Sequence, residues 1–138
     1  MTMKNEELPD YGPRDIEDEY FQEIYRADRA LARAQQGDLE AMYEIGQCFY
    51  FGEGRRENYR LALKYLLRPA EEGNACAQYY VGCIYETGEK ENEKEFKGVK
   101  PNPNEAAKWF AKAAAFGHEE AAKALERVNA AGRDTRAE

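Results

Sequence analysis

Five residues in the middle of this chain return in the same order and at the same spacing. Ala41, Ile45, Gly46, Phe49 and Gly52 answer to Ala77, Val81, Gly82, Tyr85 and Gly88, 36 residues further on. A second set recurs at 44 residues: Asn58, Ala62, Tyr65, Leu66, Ala70 and Gly73 are matched by Asn102, Ala106, Trp109, Phe110, Ala114 and Gly117. Self-similarity at such a period marks a stacked repeat, in which each unit buries its apolar face against its neighbours. Composition alone restricts the fold far less.

Both sets have a direct physical reading. Ala41, Ile45 and Phe49 fall at i, i+4 and i+8, one stripe of an α-helix, and Ala77, Val81 and Tyr85 repeat it. Ala62, Tyr65, Leu66 and Ala70 form the stripe of a second helix, repeated by Ala106, Trp109, Phe110 and Ala114. Gly46 and Gly82 lie inside the first helices, where glycine costs about 1 kcal/mol relative to alanine. The same cost incurred twice points to a second helix approaching closely. Gly52, Gly73, Gly88 and Gly117 stand where helices stop, and Asp38, Asn74 and Asn102 where they start. Asn102, Pro103 and Glu105 read as an N-cap, a first-turn proline and a capping-box acid. Each unit is a helix–turn–helix.

In this combination of residues the chain resembles the Sel-one-like repeat (SLR) family, which is related to the tetratricopeptide repeat. The match runs over residues 38–73 and 74–117. It departs from the family pattern at Phe49, Arg55 and Pro69, and in a longer connection, 89–97, in the second unit. Pro69 removes a helix hydrogen bond, so a bend or early end is expected there. The resemblance implies an all-α fold, a right-handed α–α superhelix. It also implies protein binding, with the first helices lining a concave face.

Two repeats need capping at both ends. Residues 15–36 read as one cap helix, resembling a degenerate second helix, and 118–131 as a closing helix without the internal glycine. The expected layout is one domain over 15–131. An acidic tail (1–14), expected to be disordered, precedes it and a short tail (132–138) follows. The charge-rich segment 89–97 is expected to form an exposed loop.

Net charge is −7, and residues 1–24 hold eight acids against two bases. With no obvious basic stripe, nucleic-acid binding is disfavoured. No apolar run reaches membrane-spanning length and the N-terminus lacks an apolar leader, so the expectation is a cytoplasmic protein with no membrane contact.

Cys48, Cys76 and Cys83 all fall on first helices. Two turns separate Cys76 from Cys83, about 10 Å by helical rise and beyond disulfide reach. Cysteine-rich members of the resembling family carry a disulfide in each repeat, which an odd count cannot supply. Reduced thiols are expected. The only histidine, His118, aligns with Asp38 and Asn74 and reads as a helix-start residue. No metal-ligand spacing, nucleophile elbow or phosphate loop occurs, so no cofactor, metal or catalytic residue is assigned and the chain reads as a non-enzyme.

Binding has more support. The chain holds ten tyrosines, and the repeat core uses only Tyr65 and Tyr85 of them. By the geometry the resemblance implies, the groove is lined by Tyr43, Glu44, Gln47 and Tyr50 from one unit and by Tyr79, Tyr80, Cys83 and Glu86 from the next. Glu40, Phe51, Cys76, Glu120, Lys123 and Arg127 fall on neighbouring groove offsets. Tyrosine offers a large amphipathic contact at low rotamer cost. The expected function is a monomeric, non-catalytic adaptor that binds a protein or peptide partner. Its ligand would present an apolar anchor flanked by basic residues. The alternative is a cytoplasmic immunity or inhibitor protein that neutralises a cognate toxin by occlusion.

Overall fold

Helices in this chain begin where a side chain can accept an orphaned backbone amide. The Asp38 carboxylate accepts from the N–H groups of Glu40 and Ala41, at 3.0 and 3.2 Å. Asn58 accepts from Leu61 at 3.0 Å, Asn74 from Ala77 at 3.0 Å and Asn102 from Glu105 at 3.2 Å. His118 does the same through Nδ1, accepting from Ala121 at 3.1 Å. The computed structural model describes residues 19–88 and 98–137, and among them every regular element is an α-helix. In chain order these are α1 Glu19–Gln35, α2 Leu39–Phe51, α3 Tyr59–Glu71, α4 Ala75–Thr87, α5 Pro103–Ala115 and α6 Glu119–Ala137. The expected tail 1–14 and loop 89–97 lie outside the described residues.

Each helix packs on the next, giving an all-α solenoid. Gly46 and Gly82 have the role their repetition implied. A Cβ on Gly46 would sit 2.6 Å from the Leu66 side chain of α3, and one on Gly82 would sit 2.6 Å from the Phe110 ring of α5. Neither position has room for a methyl group. Gly52 ends α2 at φ 76°, ψ 36°, the left-handed region that side chains rarely adopt, and its N–H bonds back to Cys48.

Small residues dominate the interior. Ala27, Ala30, Ala41, Ala62, Ala77, Ala106 and Ala121 are fully buried, with Ile45, Leu66, Val81, Ile84 and Phe110 as the larger fillers. The core consists of two clusters. One spans α1 to α4 and takes Trp109 from α5; the other joins α5 to α6, and Tyr85 packs against both. Gln78 is the only buried polar residue among those described, and its amide donates to the Ala70 carbonyl at 3.0 Å, tying α4 to the end of α3.

Two boundaries differ from expectation. α3 neither stops nor restarts at Pro69 but continues to Glu71. Pro69 sits in the last turn, where it forgoes a single helix bond, and its buried ring fills space that an alanine would occupy. α6 continues to Ala137, through residues expected to form a tail. Residues 15–18, where α1 is expected to begin, lie outside the described residues.

The longer connection in the second repeat leaves its hairpin unchanged. Asn58 N–H donates to the Phe49 carbonyl at 2.8 Å, and Asn102 N–H donates to the Tyr85 carbonyl at 2.7 Å. These are equivalent atoms in the two units.

Candidate interaction surface

Of the side chains singled out on α2 and α4, the Tyr50, Tyr79 and Tyr80 rings meet one another, Tyr43 makes its contact with Cys76 instead, and Glu44 and Glu86 pair with arginines. Tyr80 is at the centre of the rings. Its centroid lies 5.1 Å from Tyr50, 5.4 Å from Tyr79 and 5.6 Å from Phe51, which meets it edge-on. Tyr50 also stacks on Tyr59 of α3, with centroids 5.0 Å apart and planes 3° from parallel. Tyr79 carries the array onward, stacking on His118 at 4.7 Å. One aromatic surface therefore crosses from α2 over α4 to the start of α6.

The hydroxyls are committed within the same surface. Tyr50 and Tyr79 both donate to the Cys83 thiol, Tyr50 also contacts the Tyr59 hydroxyl, and Gln47 donates to Tyr80. Tyr43 donates to Cys76. Burial, with the thiol contact second, pushes the Tyr79 hydroxyl up to about 12, and burial likewise drives Tyr43 and Tyr50 well above the ordinary tyrosine value. Burial raises Cys83 too, outweighing the two tyrosine hydrogen bonds that favour its thiolate, and it raises Cys48. Neither thiol is poised as a nucleophile.

Glu44 and Glu86, expected to stand beside the rings, are engaged by arginines of this chain. Glu44 meets Arg26 at 3.5 Å and Arg33 at 3.7 Å, both from α1. Glu86 receives a two-pronged contact from Arg127 of α6, at 2.8 and 2.7 Å. Arg26 also reaches Glu53 at 3.7 Å. The aromatic surface is thus bordered by paired charges.

Of the contributors beyond the expected lining, Phe51 falls on a groove offset in the sequence, whereas nothing in the sequence places Tyr59 on this surface. Phe51 is 50% exposed while its ring packs against Tyr50 and Tyr80. Tyr59 belongs to a second helix, and only the path of the 52–58 turn brings it beneath Tyr50. Among the described residues no group of three or more His, Cys, Asp or Glu side chains could hold a metal ion. Nor is any described helix long and apolar enough to cross a membrane.

A family model of the Sel1 repeat matches residues 39–74 and 77–118, more than half of the chain. The chain belongs to the Sel1 repeat family. Sel1 repeat proteins generally mediate protein–protein interaction and are typically non-catalytic scaffolds. Among solved structures, the chain is similar to c5321, a protective antigen present in uropathogenic Escherichia coli strains and displaying an SLR fold. The TM-score is 0.66 with 24% identity over 77% of this chain and 21% of that one. It is also similar to a Sel1 repeat protein from Oxalobacter formigenes, at TM-score 0.58 and 28% identity over 78% of this chain and 40% of that one. This chain therefore spans well under half of either solved chain. A comparison with curated proteins finds no match. The two Sel1 repeats comprise α2–α3 and α4–α5, so the aromatic surface is built where their first helices lie side by side.

Proposed function

We propose that this chain is a non-catalytic interaction module that holds a protein or peptide partner against the aromatic surface of α2 and α4. One observation carries the reading. Phe51 is half exposed on a support of packed tyrosines, which is the arrangement of a hot-spot anchor: rigid, apolar and already desolvated on one side. The Tyr50 hydroxyl beneath meets Cys83 and Tyr59 and that of Tyr80 meets Gln47, so little rotamer freedom is left to lose on binding.

The borders refine the ligand. Glu44 and Glu86 already have arginine partners, so the site favours an apolar side chain with charges of both signs around it over a uniformly basic segment. The longer Glu44 contacts exchange at low cost, whereas the two-pronged Arg127–Glu86 contact keeps its geometry. Free Cys48, Cys76 and Cys83 fit a reducing, cytoplasmic setting.

The test starts with affinity capture and mass spectrometry from the native host to obtain the partner. Phe51→Ala and Tyr80→Ala are then compared with the parent protein. Loss of an anchor costs about 2 kcal/mol, roughly thirtyfold in affinity. Undiminished affinity in both variants, with the unfolding temperature retained, overturns the reading.

A further inference from the structure

The second helices display their charges on the side away from the core. On α3, Arg60, Lys64 and Arg68 follow one another at four-residue intervals, and all three are exposed. Lys64 is two residues from Ala62 and two from Leu66, both fully buried, so this stripe runs along the face opposite the core. On α5, Lys108 and Lys112 take the places of Lys64 and Arg68 one repeat on, and both are exposed. The lysine heads are held by rings at equivalent positions. Lys64 Nζ lies 5.4 Å from the Tyr65 centroid, and Lys112 Nζ lies 4.6 Å from that of Trp109. Segments 56–72 and 100–112 contain seven bases and four acids, although the chain as a whole is at −7. Apolar residues separate these cations along the chain, so they do not stand out in the sequence as a basic stripe.

We propose that this outer face of α3 and α5 docks a short acidic segment of a partner protein, separately from the aromatic surface on the first helices. Four helical residues rise about 6 Å, so the α3 cations repeat at the spacing of carboxylates placed at i and i+4 on a second helix. Arg60 and Arg68 can each fork onto a carboxylate. The acids around the stripe set its length. Glu57 precedes it, Glu71 and Glu72 follow it, and Glu105 precedes Lys108. A segment with two or three carboxylates ends inside these limits, whereas a continuous phosphate backbone would run into like charge at both ends. That favours an acidic polypeptide over a nucleic acid. The contacts Arg68–Glu72 at 3.5 Å and Lys108–Glu105 at 3.4 Å are exposed pairs that exchange at little cost.

The probe is a capped, alanine-based helical peptide bearing three glutamates at four-residue intervals. Its controls are the same peptide with glutamines, a short oligothymidylate and vesicles containing phosphatidylserine. Amide chemical shifts of the full chain are followed during each titration. The glutamate peptide is expected to shift residues 60–68 and 108–112, and its affinity to fall on the order of tenfold between low and physiological salt. Lys64→Glu combined with Arg68→Glu should abolish the shifts while the helical spectrum is retained, and Phe51→Ala should leave them unchanged. Equal shifts with the glutamine peptide, shifts confined to other residues, or tighter binding of the oligonucleotide or the vesicles would each overturn the proposal.

Discussion

The Arg55 guanidinium donates to the Asp28 carboxylate at 2.5 Å, joining the connection inside the first repeat to the capping helix α1. In the second repeat the equivalent residue is Val99, which is buried in the apolar core. The two units thus fill one position by different means. Asp28→Ala leaves a partly buried guanidinium short of its acceptor and should cost about 1–2 kcal/mol, allowing for the solvent that both groups still reach. Arg55→Val on the Asp28→Ala background should recover part of that loss in urea unfolding. Full additivity of the two substitutions would show that the pair is not coupled.

Gly46→Ala and Gly82→Ala should both destabilise, despite a helix-propensity gain of about 1 kcal/mol for alanine. Each new methyl lies 2.6 Å from a neighbour, and overpacking of this kind costs about 1–3 kcal/mol. The larger fall in unfolding temperature is expected for Gly82→Ala, because the Phe110 ring is stiffer than the Leu66 side chain.

His118→Ala should cost about 1 kcal/mol by removing the acceptor for Ala121 N–H, and His118→Asn should recover most of it. Amide exchange at Ala121 is the local readout. It should quicken in the alanine variant and return in the asparagine one. Unchanged exchange in His118→Ala would show that the imidazole does not cap the helix.

Asp38 gives the fold an acid-dependent contribution. The Ala41 N–H first, and Arg33 second, hold its carboxyl below the ordinary value of 3.8. A depressed folded value means stability that is fully present above the unfolded value and lost as pH falls through the folded one. Asp38→Asn keeps an N-cap acceptor but removes the charge. The stability difference between wild type and this variant should stay constant above about pH 5 and shrink below 3.8. A difference that widens on acidification would contradict the assignment.

Native alkylation should label Cys76 first, since it alone of the three cysteines is exposed. Cys48 and Cys83 should react after unfolding, being shielded and having raised thiol pKa values. Rapid labelling of Cys83 in the folded chain would mean that the Tyr50–Tyr79 contacts around it open readily.

What could be read from residue order is what the backbone encodes locally. Stripes at three and four residues, the caps Asp38, Asn74 and Asn102, and the close approach at Gly46 and Gly82 each follow from a few neighbouring residues. Charge pairing does not. Whether Glu44 faces a ligand or Arg26 depends on how α1 crosses α2, and that angle is set by packing. Tyr59 is not legible for the same reason, because its place under Tyr50 depends on the path of a turn. Pro69 misled because its effect varies with distance from the helix end, and it lies in the last turn of α3.

The paired bonds from Asn58 to Phe49 and from Asn102 to Tyr85 have a practical corollary. They close each hairpin at its neck, so the stack is insulated from whatever chain is threaded between Gly88 and Gly98. That junction is a natural splice point. A fluorescent domain inserted there should leave the stacking of the two repeats intact, as read by an unchanged unfolding temperature.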